Sequence, residues 1–183
     1  MTIHSTAVIY PCVTIEPGAY IGPLCVIGAP PEHLDAQGAG HGVLIKAGAR
    51  LEKAVVVDSG LNEKTVIGSN SMLMSQVHIG HDCQIGDNVV IAAGATFAGH
   101  CIVLKGAYIG INASIHQYQK IGHYALVGAG SVVTKKVRVH SGCIVAGNPA
   151  TQIKMNTIGL QRAGITADQL RVLQDEFDML CQE

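Results

Sequence analysis

Two sets of residues repeat at an interval of eighteen: His81, Gly99 and Gln117, and beside them Asp82, His100 and Tyr118. His116 adjoins Gln117, and His78 lies three residues before His81. In a chain that closes one turn every eighteen residues, each set is a column, and all four histidines fall near one edge. The chemistry such an edge supports is proton transfer. A histidine titrates near neutral pH and can take a proton from a hydroxyl or an amine. A neighbouring carboxylate orients the ring and stabilises its charged form. A peptide N–H in a glycine-containing turn can hold the oxyanion of a tetrahedral intermediate. His81 with Asp82, and Gly99 one turn above, supply those three parts.

The turn that would stack them is written in the hydrophobic pattern. From Ile67 to Val145 every sixth residue is Val, Ile, Leu or Phe without interruption. That period belongs to neither a helix nor an ordinary strand; it marks a hexapeptide solenoid whose coils repeat one core contact. The same period runs through Ile9, Ile15, Ile21 and Ile27, and again through Ile45, Leu51 and Val57. Two excursions interrupt it, at 29–42 and 58–66, the second shifting the frame by four residues. Loops on a rigid scaffold are where binding residues collect. Three hexapeptides per coil give eighteen residues per turn, and Ile9 to Val145 then makes about seven coils at roughly 4.8 Å each. Period six alone fixes neither the number of sides nor the hand.

Composition agrees with a narrow coil. There are 22 glycines for tight corners, few aromatics and no tryptophan. Cys25, Cys83, Cys101 and Cys143 fall four residues after a repeat aliphatic, a slot otherwise held mostly by small residues. They read as small buried thiols, with no C-x-x-C zinc spacing around them. A net charge of −1 gives no electrostatic case for nucleic acid. No apolar run is long enough to span a bilayer. Met1 to Tyr10 lacks the pattern of a signal peptide. With unpaired cysteines, that makes a cytoplasmic protein the expectation.

The expected division is a β-helix over 1–150 and a helical cap over 151–183. Lys154 to Ala163 is expected to form a short helix closed by Gly164. Thr166 with Gln169 fits a capping box, followed by Leu170, Leu173, Phe177 and Leu180 at helical spacing.

Three segments carry a closer likeness: Ser71 to Cys83 with His78-x-x-His81-Asp82, Ala95 to His100, and Ala113 to Tyr118. With Ala146-Gly-Asn-Pro-Ala150 and Asn156 to Gly164, the chain from about residue 3 to 175 resembles the UDP-N-acetylglucosamine O-acyltransferases of lipid A and lipopolysaccharide synthesis. The resemblance implies a left-handed parallel β-helix with a short C-terminal helix, assembled as a homotrimer with sites between subunits. It implies acyl transfer from an acyl carrier protein or coenzyme A thioester to a hydroxyl or amine of a nucleotide sugar. It calls for no metal and no tightly bound cofactor. By the same likeness His81 is the general base, Asp82 its partner, and the Gly99 amide serves the oxyanion. His78, His100, His116 and Gln117 line the acyl and sugar site, and Asn156 and Arg162 contact the nucleotide. Ala129 matches the place that limits acyl length, where its methyl points to a shorter chain.

The departures gather where an acceptor would be read. The family's Asp-Leu-Lys in the first loop is His33-Leu34-Asp35 here. Ile158 replaces an acidic residue, Asp58 stands where a histidine is expected, and the C-terminal region holds little more than one helix. A nucleotide sugar other than UDP-N-acetylglucosamine therefore becomes a plausible acceptor. Three readings stay open beside this one: an acetyl-CoA-dependent sugar acetyltransferase, a zinc carbonic-anhydrase-like enzyme using His78 and His81, and a scaffold without catalysis.

Overall fold

The computed structural model describes residues 1–182. They form a three-sided parallel β-helix. The first face carries eight parallel strands and a ninth that is antiparallel, the second seven strands, and the third six. Away from the two excursions, neighbours on a face are eighteen residues apart, as in Met72↔Val90↔Tyr108, His78↔Thr96↔Ser114 and Gln84↔Ile102↔Lys120. The first face has one strand more than the repeat implied, because Thr2–Ile3 opens the coil ahead of Ile9.

The interior is built as the period required. All fourteen repeat apolar residues from Ile67 to Val145 lie inside, none more than 3% exposed. Between them stack the small residues, including Cys25, Cys83, Cys101 and Cys143, all buried. Burial pushes the Cys143 thiol up to about 11, which keeps it protonated and unreactive. Corner residues such as Asp82, His100 and Tyr118 adopt left-handed backbone conformations with φ near +60°. Each coil can then turn sharply while the corner N–H still bonds to the coil before it, as His100 N–H does to the His81 carbonyl (2.9 Å) and Tyr118 N–H to the Gly99 carbonyl (3.1 Å).

The two excursions leave the coil at adjacent places and brace one another. The strand Val26–Ala29 ends the regular coil and Val43–Ile45 resumes it, so the first loop runs over 30–42. The second is tighter than the frame shift implied, 59–64, between Val56–Asp58 and Thr65–Ile67. The Gly42 N–H donates to Ser59 Oγ (2.8 Å), and the His41 N–H to the Gly60 carbonyl (2.7 Å).

The C-terminal segment differs from the expected helix over 154–163. Ala150–Met155 instead folds back as a strand on Cys143–Gly147, pairing Lys154 with Ile144. The helix α1, Thr157–Arg162, begins only after Asn156, whose side chain caps it by accepting the Gly159 N–H (3.1 Å). The reason is twofold: an asparagine is a strong helix start, and the residues before it complete an open sheet edge. The helix α2, Ala167–Leu180, has the expected capping box at Thr166 and Gln169. It lies along its own solenoid, with Phe177 buried. Gln174 accepts the Ser141 N–H (2.9 Å), and Arg138 pairs with Asp178 (3.0 Å).

Candidate active site

The corner after the second face carries the polar cluster. His78 ends up in the strand His78–Ile79, and His81 and Asp82 form the turn that follows it. His81 Nδ1 lies 2.7 Å from Asp82 Oδ2, which leaves Nε2 as the nitrogen free to take a proton. His81 is 8% exposed and Asp82 fully inside. A buried carboxylate needs donors, and the loop over 59–64 provides them. The backbone N–H groups of Leu61 (3.1 Å), Asn62 (2.8 Å) and Glu63 (2.8 Å) all donate to Asp82. Burial alone would raise this carboxyl. The Glu63 N–H, His81 and the other two amides outweigh burial and hold the group below the usual carboxylate range. The turn depends on Gly60, where any side chain would run into the Glu63 carbonyl.

Gly99 sits directly over the His81 ring. A Cβ placed there would stand 2.4 Å from His81 Cε1 and 2.5 Å from Nε2. The glycine therefore serves the close approach of the ring. Its N–H donates no hydrogen bond among the described residues, and Gly99 lines a cavity beside the ring.

Around this centre the stacked residues arrive as the eighteen-residue turn requires. His100 meets His81 edge-on at 5.0 Å and stacks flat on Tyr118 at 4.5 Å, with its Nε2 3.5 Å from Asp82 Oδ2. His33 comes from the first loop to stand edge-on to His81 at 5.3 Å, its Nδ1 accepting the Asp35 N–H (3.1 Å). His33 divides the region into two cavities. One, of about 370 Å³, contains His78, His81, Gly99 and Gln117. The other, of about 610 Å³, is walled by His33, Asp35, Asn62, His100 and Tyr118. His116 points its Nδ1 at the Gln117 carbonyl (3.0 Å) on the exposed side of the corner.

Other candidate residues stand apart within one chain. Ala129 is exposed on the corner between the first and second faces, one corner away from His81. Asn156 caps α1 and donates to the Tyr124 carbonyl (2.9 Å), and Arg162 is exposed in the last turn of α1.

Two features of the site have no motif. The amides on Asp82 are backbone groups, and their only trace in the sequence is the four-residue frame shift with Gly60 in it. Asp58 was legible as a departure from the family pattern, but its partner was not: Asp58 Oδ2 lies 3.1 Å from His78 Nε2. His81, Asp82 and His100 also bring three ligand atoms within 4.8 Å of one another. The Asp82 oxygens already take three N–H groups and an imidazole, so a cation there would break the bonds that fix the dyad. This donor set suits proton transfer.

Known proteins resemble the chain along most of its length. The family described as Bacterial transferase hexapeptide (six repeats) matches residues 64–99. An acyl-[acyl-carrier-protein]–UDP-N-acetylglucosamine O-acyltransferase from Synechocystis is 33% identical over 168 residues, 91% of this chain and 60% of that protein. One of the same name from Gloeothece citriformis is 33% identical over 85% of this chain and 56% of its own length. The chain thus spans less than two thirds of these relatives. The crystal structure of the UDP-N-acetylglucosamine O-acyltransferase from Moraxella catarrhalis superposes with a TM-score of 0.76 at 28% identity, covering 96% of this chain and 82% of that one. The chain thus carries the bacterial transferase hexapeptide repeat over residues 64–99 and is similar along most of its length to UDP-N-acetylglucosamine O-acyltransferases.

Proposed function

We propose that the chain is an acyltransferase that moves an acyl group from a thioester to a hydroxyl or amine of a nucleotide sugar, with His81 as general base. The observation that carries this reading is the His81–Asp82 dyad set against the free Gly99 N–H. The names of its relatives support acyl carrier protein as donor and UDP-N-acetylglucosamine as the model acceptor.

The acceptor's hydroxyl or amine lies against His81 Nε2 and gives up its proton as it attacks the thioester carbonyl. Asp82, held by three amides, keeps the ring oriented and stabilises the imidazolium that forms. The Gly99 N–H receives the developing oxyanion. Collapse of the tetrahedral intermediate expels the thiol. Asn156, Arg162 and Ala129 enter this reading through a homotrimer, in which a neighbouring subunit brings its own copies toward the corner. His33 and Asp35 replace the family's acidic and basic pair at the acceptor, so a nucleotide sugar other than UDP-N-acetylglucosamine fits the reading. No helix among the described residues is long and apolar enough to cross a membrane, and the reading places the reaction in the cytoplasm, where thioester donors are made.

The test is mass spectrometry of UDP- and dTDP-sugars incubated with the protein and thioesters of acyl carrier protein or coenzyme A. A nucleotide sugar heavier by one acyl group is expected, and its absence with every pair from a folded protein would overturn the reading. The close approach of Gly99 gives a second prediction. Gly99→Ala must drive the His81 ring from its place, and a displacement of about 1 Å costs on the order of 100-fold in rate. The melting temperature should barely change, since the added methyl meets the ring at a corner and no member of the apolar core. A Gly99→Ala variant as active as the wild type would remove the ring from the mechanism.

A further inference from the structure

The geometry points to a second proton-carrying pair in the same cavity: His78 protonates the leaving sulfur, and Asp58 is the positioning residue that keeps His78 supplied with that proton. This rests on the acyl-transfer reading and adds the half of the reaction that His81 leaves undone.

The two dyads are built differently. Asp82 shares its charge among three backbone N–H groups and His81. The Asp58 side chain is as deeply placed, 3% exposed, yet His78 is its sole hydrogen-bond partner among the described residues. A carboxylate buried with one partner favours the cationic form of that partner. Asp58 closes the strand Val56–Asp58, whose neighbour on the second face is His78–Ile79. The contact is therefore set by the coil register and not by a mobile loop.

The other groups around His78 reinforce its charge. Glu32 and His33 come from the first loop and His81 from its own corner; Thr96, its neighbour on the next coil, is uncharged. The hydrogen bond to Asp58 raises His78 above the ordinary imidazole value against the pull of burial, and Glu32 adds to the rise. With Nε2–H committed to Asp58, Nδ1 is the nitrogen that gives and takes a proton, and it has no partner among the described residues. His78, His81 and Gly99 all line the cavity of about 370 Å³. Base, oxyanion donor and acid therefore surround one space.

The balance is simple. His81 Nε2 takes the acceptor's proton as the new C–O or C–N bond forms. The oxyanion then re-forms the carbonyl, the C–S bond breaks, and its electron pair stays on sulfur. His78 gives its Nδ1 proton to that sulfur and becomes neutral. His81 then releases its proton to solvent and His78 regains one, so both are restored. Pairs of titratable groups in contrasting environments are the usual way one site runs acid and base chemistry together.

The experiment compares wild type, His78→Ala and Asp58→Asn across about pH 6 to 10. Each is given decanoyl-pantetheine or the S-phenyl ester of thiodecanoic acid with the same panel of UDP- and dTDP-sugars. Thiophenol is a far more acidic thiol and leaves without help. His78→Ala is expected to lose on the order of 100-fold with the pantetheine thioester and almost nothing with the phenyl thioester. Asp58→Asn, close in shape to the wild type, is expected to move the alkaline limb of kcat/KM to lower pH while KM for the sugar stays constant. Equal losses with both donors, or a rise in KM alone, would overturn the proposal and leave His78 as a binding group. An unmoved alkaline limb in a folded Asp58→Asn would do the same. No product from the wild type with either donor would instead overturn acyl transfer itself, and this proposal with it.

Discussion

Replacing His81 with alanine is expected to leave a folded protein whose acyl transfer is slower by about 100-fold to 10,000-fold, the range a positioned general base supplies. The fold should survive because the ring lies on a corner, outside the core cluster of aliphatic and small residues. Asp82 would lose one partner, but Leu61, Asn62 and Glu63 would still donate to it, so the buried carboxylate is not left bare. Activity and stability should therefore separate. Circular dichroism would show an unchanged spectrum and a melting temperature within a few degrees. The mass-spectrometric transfer assay would show product only after long incubation. A variant working within about threefold of wild type would end the assignment of His81, because loss of a general base costs far more.

Replacing Ile91 with aspartate is expected to have the opposite character: no folded protein at all. Ile91 is 0% exposed, stacked between Leu73 and Ile109 on the first face. Loss of a buried aliphatic of this size costs about 2–5 kcal/mol. A carboxylate in its place meets only apolar neighbours, and an unbonded polar group adds roughly 2–7 kcal/mol. Together these rival the whole stability of an ordinary domain, about 5–15 kcal/mol. The adjacent Val90 points outward and is half-buried, so Val90→Asp should be tolerated. The pair of variants, expressed and melted side by side, reads the inside-outside alternation of the coil directly. An Ile91→Asp protein with the wild-type melting curve would contradict the register of the entire repeat.

The six-residue period determined the core, the eighteen-residue turn and the columns that bring His81, Gly99 and Gln117 to one corner. It could do so because the same contact is made in every coil, so each residue's environment is fixed by its position in a hexapeptide. The His81–Asp82 pair was legible for the same reason: adjacent residues at a corner stay adjacent in space. The helix start at Lys154 was misplaced because the edge strand Ala150–Met155 is created by pairing with Cys143–Gly147, a contact that no local pattern announces. What only the tertiary structure decided lies in the two excursions and between coils. The amides that hold Asp82 come from a loop over 59–64 whose side chains give no sign of it, since every residue except proline carries a backbone N–H. His33 reaches His81 across a loop whose path depends on the Gly42–Ser59 brace. Asp58 meets His78 because a break in the period sets the register at Val56↔His78, twenty-two residues apart, where the repeat predicts eighteen. Periodic contacts can be read along a chain; contacts that depend on where the period fails exist only once the coil has closed.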